Sequence, residues 1–145
     1  MYNASRDFVE DSVPPAAVLR AVWEIETYPE FVKGVKRVEV TKREENLLEA
    51  TFTAGLTGLD FEYVLRCERD ETSVRWKRIR GSFRDASGSM THLGQGRFRY
   101  TQKLDPGFAV PGFAVRFVLE HSLPRLIREF RARAARYAAE SAEAS

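Results

Sequence analysis

Between residues 35 and 101 the apolar side chains recur at every second position, and on either side of this block they recur at helical spacing. This change of period is the strongest constraint on the fold. Val38 and Val40 alternate with Arg37, Glu39 and Thr41. Leu48, Ala50, Phe52 and Ala54 alternate with Glu49, Thr51 and Thr53, and Phe61, Tyr63, Leu65 and Cys67 with Asp60, Glu62, Val64 and Arg66. Val74 and Trp76 continue the pattern, Met90 lies in a further candidate strand, and Phe98 and Tyr100 close the block. Turn signals separate the runs: Glu44-Glu45-Asn46, 55–58, Asp70-Glu71, Ser87-Gly88 and Gly94-Gln95-Gly96. The pattern predicts an antiparallel meander with one apolar face and one solvated face.

The flanks are read differently. A short strand is expected over 7–13, ended by Pro14-Pro15, with Ser12 as a candidate cap for a helix over 16–25. A second short helix over 29–33 should stop at Gly34. Near the C-terminus Leu119, Leu123, Leu126, Ile127, Phe130, Ala134 and Tyr137 fall on one stripe of a long helix, with Arg125, Arg128 and Arg136 opposite. Pro124 implies a kink, or a regular helix that begins near Ser122. Residues 138–145 are small and polar and should fray. Strands in one block with helices at the ends make an α+β fold. One apolar sheet face and one apolar helix stripe are both buried if the sheet, of about six to seven strands, wraps around the helix.

The chain has 145 residues, enough for one domain over 1–145. Lys and Arg total 23 against 21 for Asp and Glu, and the net charge of +2 argues against a protein built around DNA or RNA phosphates. One cysteine, Cys67, excludes an internal disulfide and any multi-cysteine metal site. No window approaches the ~18 apolar residues of a membrane span. The N-terminus lacks a cationic leader followed by an apolar run, so a cytoplasmic protein is expected, of open oligomeric state.

No catalytic set is evident. His92 and His121 are the only histidines, without metal-ligand spacing, so neither metal nor cofactor is expected. Gly-x-Ser-x-Gly and Ser-x-x-Lys patterns are absent. Cys67 reads as a small core residue. Strand parity places Arg78 beyond Trp76, Gln102 beyond Tyr100, and His92 with Met90, all on the inward face. Arg78 is then a polar anchor for a ligand carbonyl or acid, or its side chain escapes at a bulge or rim.

Several segments carry a resemblance. Val13-Pro14-Pro15-Ala16-Ala17-Val18, Val22-Trp23, Tyr28-Pro29-Glu30-Phe31 and the Val-rich run from Gly34 to Val40 follow one another in the first forty residues. Trp76 is followed by Gly81-Ser82-Phe83, and a Pro/Gly linker precedes the last helix. This order resembles the START-like, helix-grip (SRPBCC) superfamily, within it the polyketide cyclase/dehydrase and coenzyme-Q-binding group. One departure is Met90, where the family often carries a Trp. The resemblance implies a mostly apolar cavity between sheet and helix, for a lipid, an isoprenoid quinone or a polyketide-like compound.

Combined with strand parity, it gives a candidate lining. The aromatic part is Trp23, Phe31, Phe52, Phe61, Tyr63, Trp76, Phe98 and Tyr100. Met90, Arg78, His92 and Gln102 join them from the strands, and Leu123, Ile127 and Phe130 from the helix. Tyr63 and Tyr100 are singled out because a buried hydroxyl needs a partner. The apolar linker 107–115 is read as a lid, a membrane-touching edge or a loop packed on the first helices. Binding or transport of a hydrophobic molecule is the leading function. A polyketide aromatase/cyclase is the rival, its catalytic residues unassigned. A ribosome- or protein-binding module using the Arg face ranks third.

Overall fold

A computed structural model describes residues 2–56, 58–107 and 112–144. The period-two block forms six consecutive antiparallel strands, and a seventh comes from the N-terminus. They are β1 (Tyr2–Val9), β2 (Val35–Arg43), β3 (Leu47–Leu56), β4 (Leu59–Arg69), β5 (Ser73–Gly81), β6 (Asp85–Gly94) and β7 (Arg97–Asp105). One sheet results, in the order β1-β7-β6-β5-β4-β3-β2. Its register keeps the inward residues opposite one another: Leu48 faces Cys67, Ala50 faces Leu65, Phe52 faces Tyr63 and Cys67 faces Trp76. Because side chains alternate across a strand, these pairs place one continuous apolar surface on the concave side.

β1 departs from expectation: it covers Tyr2–Val9 and not 7–13. Its edge pairs Tyr2 with Leu104 and Val9 with Arg97, and Phe8 stacks on Phe98 at 5.4 Å. Beyond Val9 the chain turns. Glu10 donates its N–H to the Gly96 carbonyl at 2.7 Å and accepts from the Ser12 hydroxyl at 2.5 Å. Ser12 is therefore spent on Glu10 and does not cap the following helix, whose N-cap is Pro14.

Helix α1 (Pro15–Trp23) starts with a proline at a position where no N–H partner is needed, and buries Val18, Ala21 and Val22. A 3₁₀ turn (Ile25–Thr27) leads into α2 (Tyr28–Phe31). α2 ends before Lys33 because Val32 is extended, and Gly34 makes the left-handed turn into β2 with φ of 95°.

Helix α3 (Gly112–Ala144) runs through Pro124 and continues through the segment from Ala138 that was expected to fray. Proline has no N–H for the Glu120 carbonyl, so one rung of the helix is missing there. Leu123, Ile127, Phe130, Ala134 and Tyr137 are buried on the side facing sheet and α1. The sheet thus grips the helix, with α1 and α2 closing one flank. Arg131 clasps Glu10 at 3.0 Å, and Glu129 accepts from the Lys33 N–H at 3.1 Å.

The outer arginines are largely paired: Arg125 lies 3.3 Å from Glu129, and Arg136 lies 3.2 Å from Glu140. Arg128 is exposed. Residues 108–111 of the 107–115 linker lie outside the described residues, as does the His121 side chain, and from Gly112 the linker is already part of α3. No described helix is long and apolar enough to cross a membrane.

Candidate functional site: a cavity under the sheet

The concave face and the helices do not meet everywhere. Between them lies a cavity of about 150 Å³. Val22 of α1, Ile25, Tyr28 and Val32 form its helical flank, and Leu126 and Phe130 of α3 its floor. The sheet contributes Val35, Phe52, Tyr63, Leu65, Cys67, Val74, Trp76, Tyr100 and Gln102. The wall is stiffened by ring contacts. Phe52 and Tyr63 stack with centroids 5.6 Å apart, Trp76 tilts against Tyr100 at 5.5 Å, and Tyr28 packs on Phe130 at 5.5 Å.

Gly88 makes room for Trp76. It lies opposite both Trp76 and Gln102 in the sheet, and a Cβ there would sit 2.7 Å from the indole and 2.3 Å from the Thr101 carbonyl oxygen. The indole covers the bare glycine, which is how an aromatic compensates a glycine within a sheet.

Of the residues singled out in the sequence, Phe52, Tyr63, Trp76, Tyr100, Gln102 and Phe130 border the cavity. The others lie elsewhere. Trp23 is in a surface groove with the Arg69 guanidinium 4.5 Å above its ring. Phe31 backs Tyr28 and Phe130, at 5.7 and 6.0 Å. Phe61 packs on Phe83 at 5.0 Å. Met90 and Phe98 are fully buried core, and Leu123 and Ile127 are buried on α3. The His92 ring lies on Phe98 at 4.9 Å, with Nε2 buried and without a hydrogen-bond partner.

Arg78 has the inward parity but bends over the β5–β6 turn. Its Nη2 donates to the Gly81 carbonyl at 2.7 Å and its Nε to the Ser82 carbonyl at 3.4 Å. Three lining residues absent from the sequence-based list, Leu65, Cys67 and Val74, share the parity of Tyr63 and Trp76. Tyr28, Val32 and Ile25 sit in the irregular segment between α1 and β2, where no period points to a face.

The polar groups are few and mostly committed. Tyr28 donates its hydroxyl to the Val22 carbonyl. Tyr100 donates to Gln102 Oε1 at 3.3 Å, and the Gln102 amide donates to the Ser87 and Lys103 carbonyls, both at 3.1 Å. Burial pushes the Tyr63 phenol and the Cys67 thiol up to about 12, and raises Tyr28 and Tyr100 as well. At neutral pH all four keep their protons. The thiol is then a poor nucleophile and the phenols are donors, not bases. Among the described residues no group of three His, Cys, Asp or Glu is placed to hold a metal ion.

Residues 11–131 match the family model for polyketide cyclase/dehydrase and lipid transport. Among solved structures, a protein from Thermus thermophilus is 21% identical, with TM-score 0.76 over 93% of this chain and 97% of its own. A START superfamily protein from Mycobacterium smegmatis is 13% identical, with TM-score 0.77 over 93% of this chain and 98% of its own. The Zhui aromatase/cyclase from Streptomyces sp. R1128 is 13% identical, with TM-score 0.74 over 93% of this chain and 95% of its own. A search of curated proteins finds no match. At these identities the structures establish a shared fold.

Proposed function

The chain belongs to the polyketide cyclase/dehydrase and lipid transport family of START-like proteins, and from that premise we propose that it binds a hydrophobic small molecule beneath the sheet and carries it through the cytoplasm. The observation that supports this reading is the cavity itself, about 150 Å³ walled by aromatic and aliphatic side chains with a few fixed polar groups. Phe52, Tyr63, Trp76, Tyr100, Gln102 and Phe130 are its ligand contacts, and Phe31, Met90 and Phe98 support them from behind.

Carriage fits this lining better than turnover. Cyclisation of a polyketide needs a base that removes a proton next to a carbonyl. The described lining offers phenols and a thiol held protonated, and His92 stands outside it.

Titration with apolar ligands tests the proposal. Trp76 borders the cavity, so its emission should shift and saturate as the cavity fills. Native mass spectrometry of the same samples should give a one-to-one complex. Absence of saturable binding across a panel of aromatic, quinone and lipid ligands would overturn the proposal.

A further inference from the structure

The geometry points to a neutral, single-ring ligand with one hydrogen-bond acceptor, held by the hydroxyl of Tyr63. This inference rests on the ligand-binding reading above and narrows it by size, charge and polar contact.

Size comes first. An apolar cavity of about 150 Å³ holds a benzene ring, whereas ordinary ligand pockets start at roughly 300 Å³. At about 150 Å³ this cavity is of the first kind. Its lining agrees, since Phe52, Trp76 and Phe130 border it together with Leu65 and Val74. A flat ring fits within this volume, whereas a long acyl chain would have to extend beyond it.

Charge comes second. None of the described lining residues is charged. The basic candidate on the inward face of β5, Arg78, turns its Nη2 and Nε to the Gly81 and Ser82 carbonyls and is not among the described lining residues. A carboxylate entering the cavity would lose its water and gain no counter-ion from the described residues, a cost that binding does not offset. The ligand therefore enters neutral.

The polar contact comes third. Tyr28 is tied to the Val22 carbonyl and Tyr100 to Gln102, and both amide hydrogens of Gln102 are used. The Tyr63 hydroxyl has no hydrogen-bond partner among the described residues, although its ring is fixed by Phe52 at 5.6 Å and Phe83 at 5.4 Å. Burial keeps the phenol protonated, so it offers a donor that a ligand carbonyl or ether can satisfy.

The test is an NMR titration of 15N-labelled protein, with the Trp76 indole N–H as reporter. The probes are acetophenone, ethylbenzene, benzoate and the two-ring ketone benzophenone. Acetophenone and ethylbenzene should both saturate, acetophenone more tightly. Tyr63→Phe should weaken acetophenone about fivefold and change ethylbenzene less than twofold. Unchanged ethylbenzene binding also reports an intact cavity in the variant. Benzoate should bind as the acid alone, its apparent affinity falling about tenfold per pH unit from pH 5 to 7. Benzophenone should bind at least about tenfold more weakly than acetophenone.

Equal losses for both neutral rings in Tyr63→Phe, pH-independent benzoate binding, or benzophenone binding as tight as acetophenone would each overturn this inference. In all three cases continued ethylbenzene binding would leave the carrier reading standing. Should Tyr63→Phe not fold, the benzoate and benzophenone arms on the native chain still decide. Failure of both neutral single rings to saturate would overturn this inference, and the quinone and lipid ligands of the carrier titration would then decide the carrier reading on their own.

Discussion

Gly88 has no side chain, and one wall of the cavity depends on that. A methyl group there would stand 2.3 Å from a backbone oxygen, which cannot swing aside, and 2.7 Å from the Trp76 indole. Gly88→Ala should lower stability by about 1–3 kcal/mol in urea unfolding and displace Trp76. An unchanged midpoint and emission would contradict the packing. Cys67 gives a second residue-scale test. Its thiol titrates at about 12 in the fold and at its ordinary 9.0 when unfolded. Between these values the folded state binds the extra proton, so stability falls as pH rises from about 9. Cys67→Ala should flatten the decline between pH 9 and 10, a window below the ordinary tyrosine range; an identical slope in the variant would show that the thiol is not buried. Residue-level placement was only half legible in the sequence. Parity put Arg78 on the inward face, but a side chain of that length reaches the turn carbonyls. Parity also cannot separate Tyr100, which borders the cavity, from Phe98 two residues away, which is sealed between β1 and the core.

At the scale of elements, α3 is the piece on which burial depends. Phe130 is 2% exposed and touches Tyr28, Phe31 and Tyr100, at 5.5, 6.0 and 6.4 Å. Phe130→Ala should cost about 3–5 kcal/mol in denaturant unfolding. A loss below about 1 kcal/mol would mean that the helix does not lie in the sheet's grip. The Glu10–Arg131 pair ties the end of β1 to α3 from the other side. Its hydrogen bonds from Ser12, then from Arg131, hold the Glu10 carboxyl below its ordinary 4.5. That stability is complete above the ordinary value and is lost as pH falls through the depressed one. Glu10→Gln should cost about 1–2 kcal/mol at pH 7, since Arg131 is partly solvated, and should remove this part of the acid dependence. An acid profile identical to the native one would refute the clasp. The meander and the long helix were legible because each buries one face over many turns or pleats. β1 was not: it is an edge strand whose partner lies some ninety residues away, and only Ala4 and Phe8 mark its inner face. α2 is a single turn, too short for any period to emerge.

For the whole molecule, an α+β helix-grip architecture followed from the change of period and the order of elements, and the structure has it. The cavity between sheet and helix was implied by family resemblance, but its size was not. Volume is the small residue left when large opposing shapes are packed, and no periodicity encodes it. In the reading proposed above, this volume, and no other part of the surface, receives the ligand. The most direct measurement is a crystal structure after soaking with bromobenzene, with the bromine located by anomalous scattering. One bromine peak is expected, enclosed by Phe52, Trp76 and Phe130, with Gly88 and the sheet unmoved. A cavity without bromine at saturating ligand, or a single peak in the outer groove beside Trp23, would contradict it.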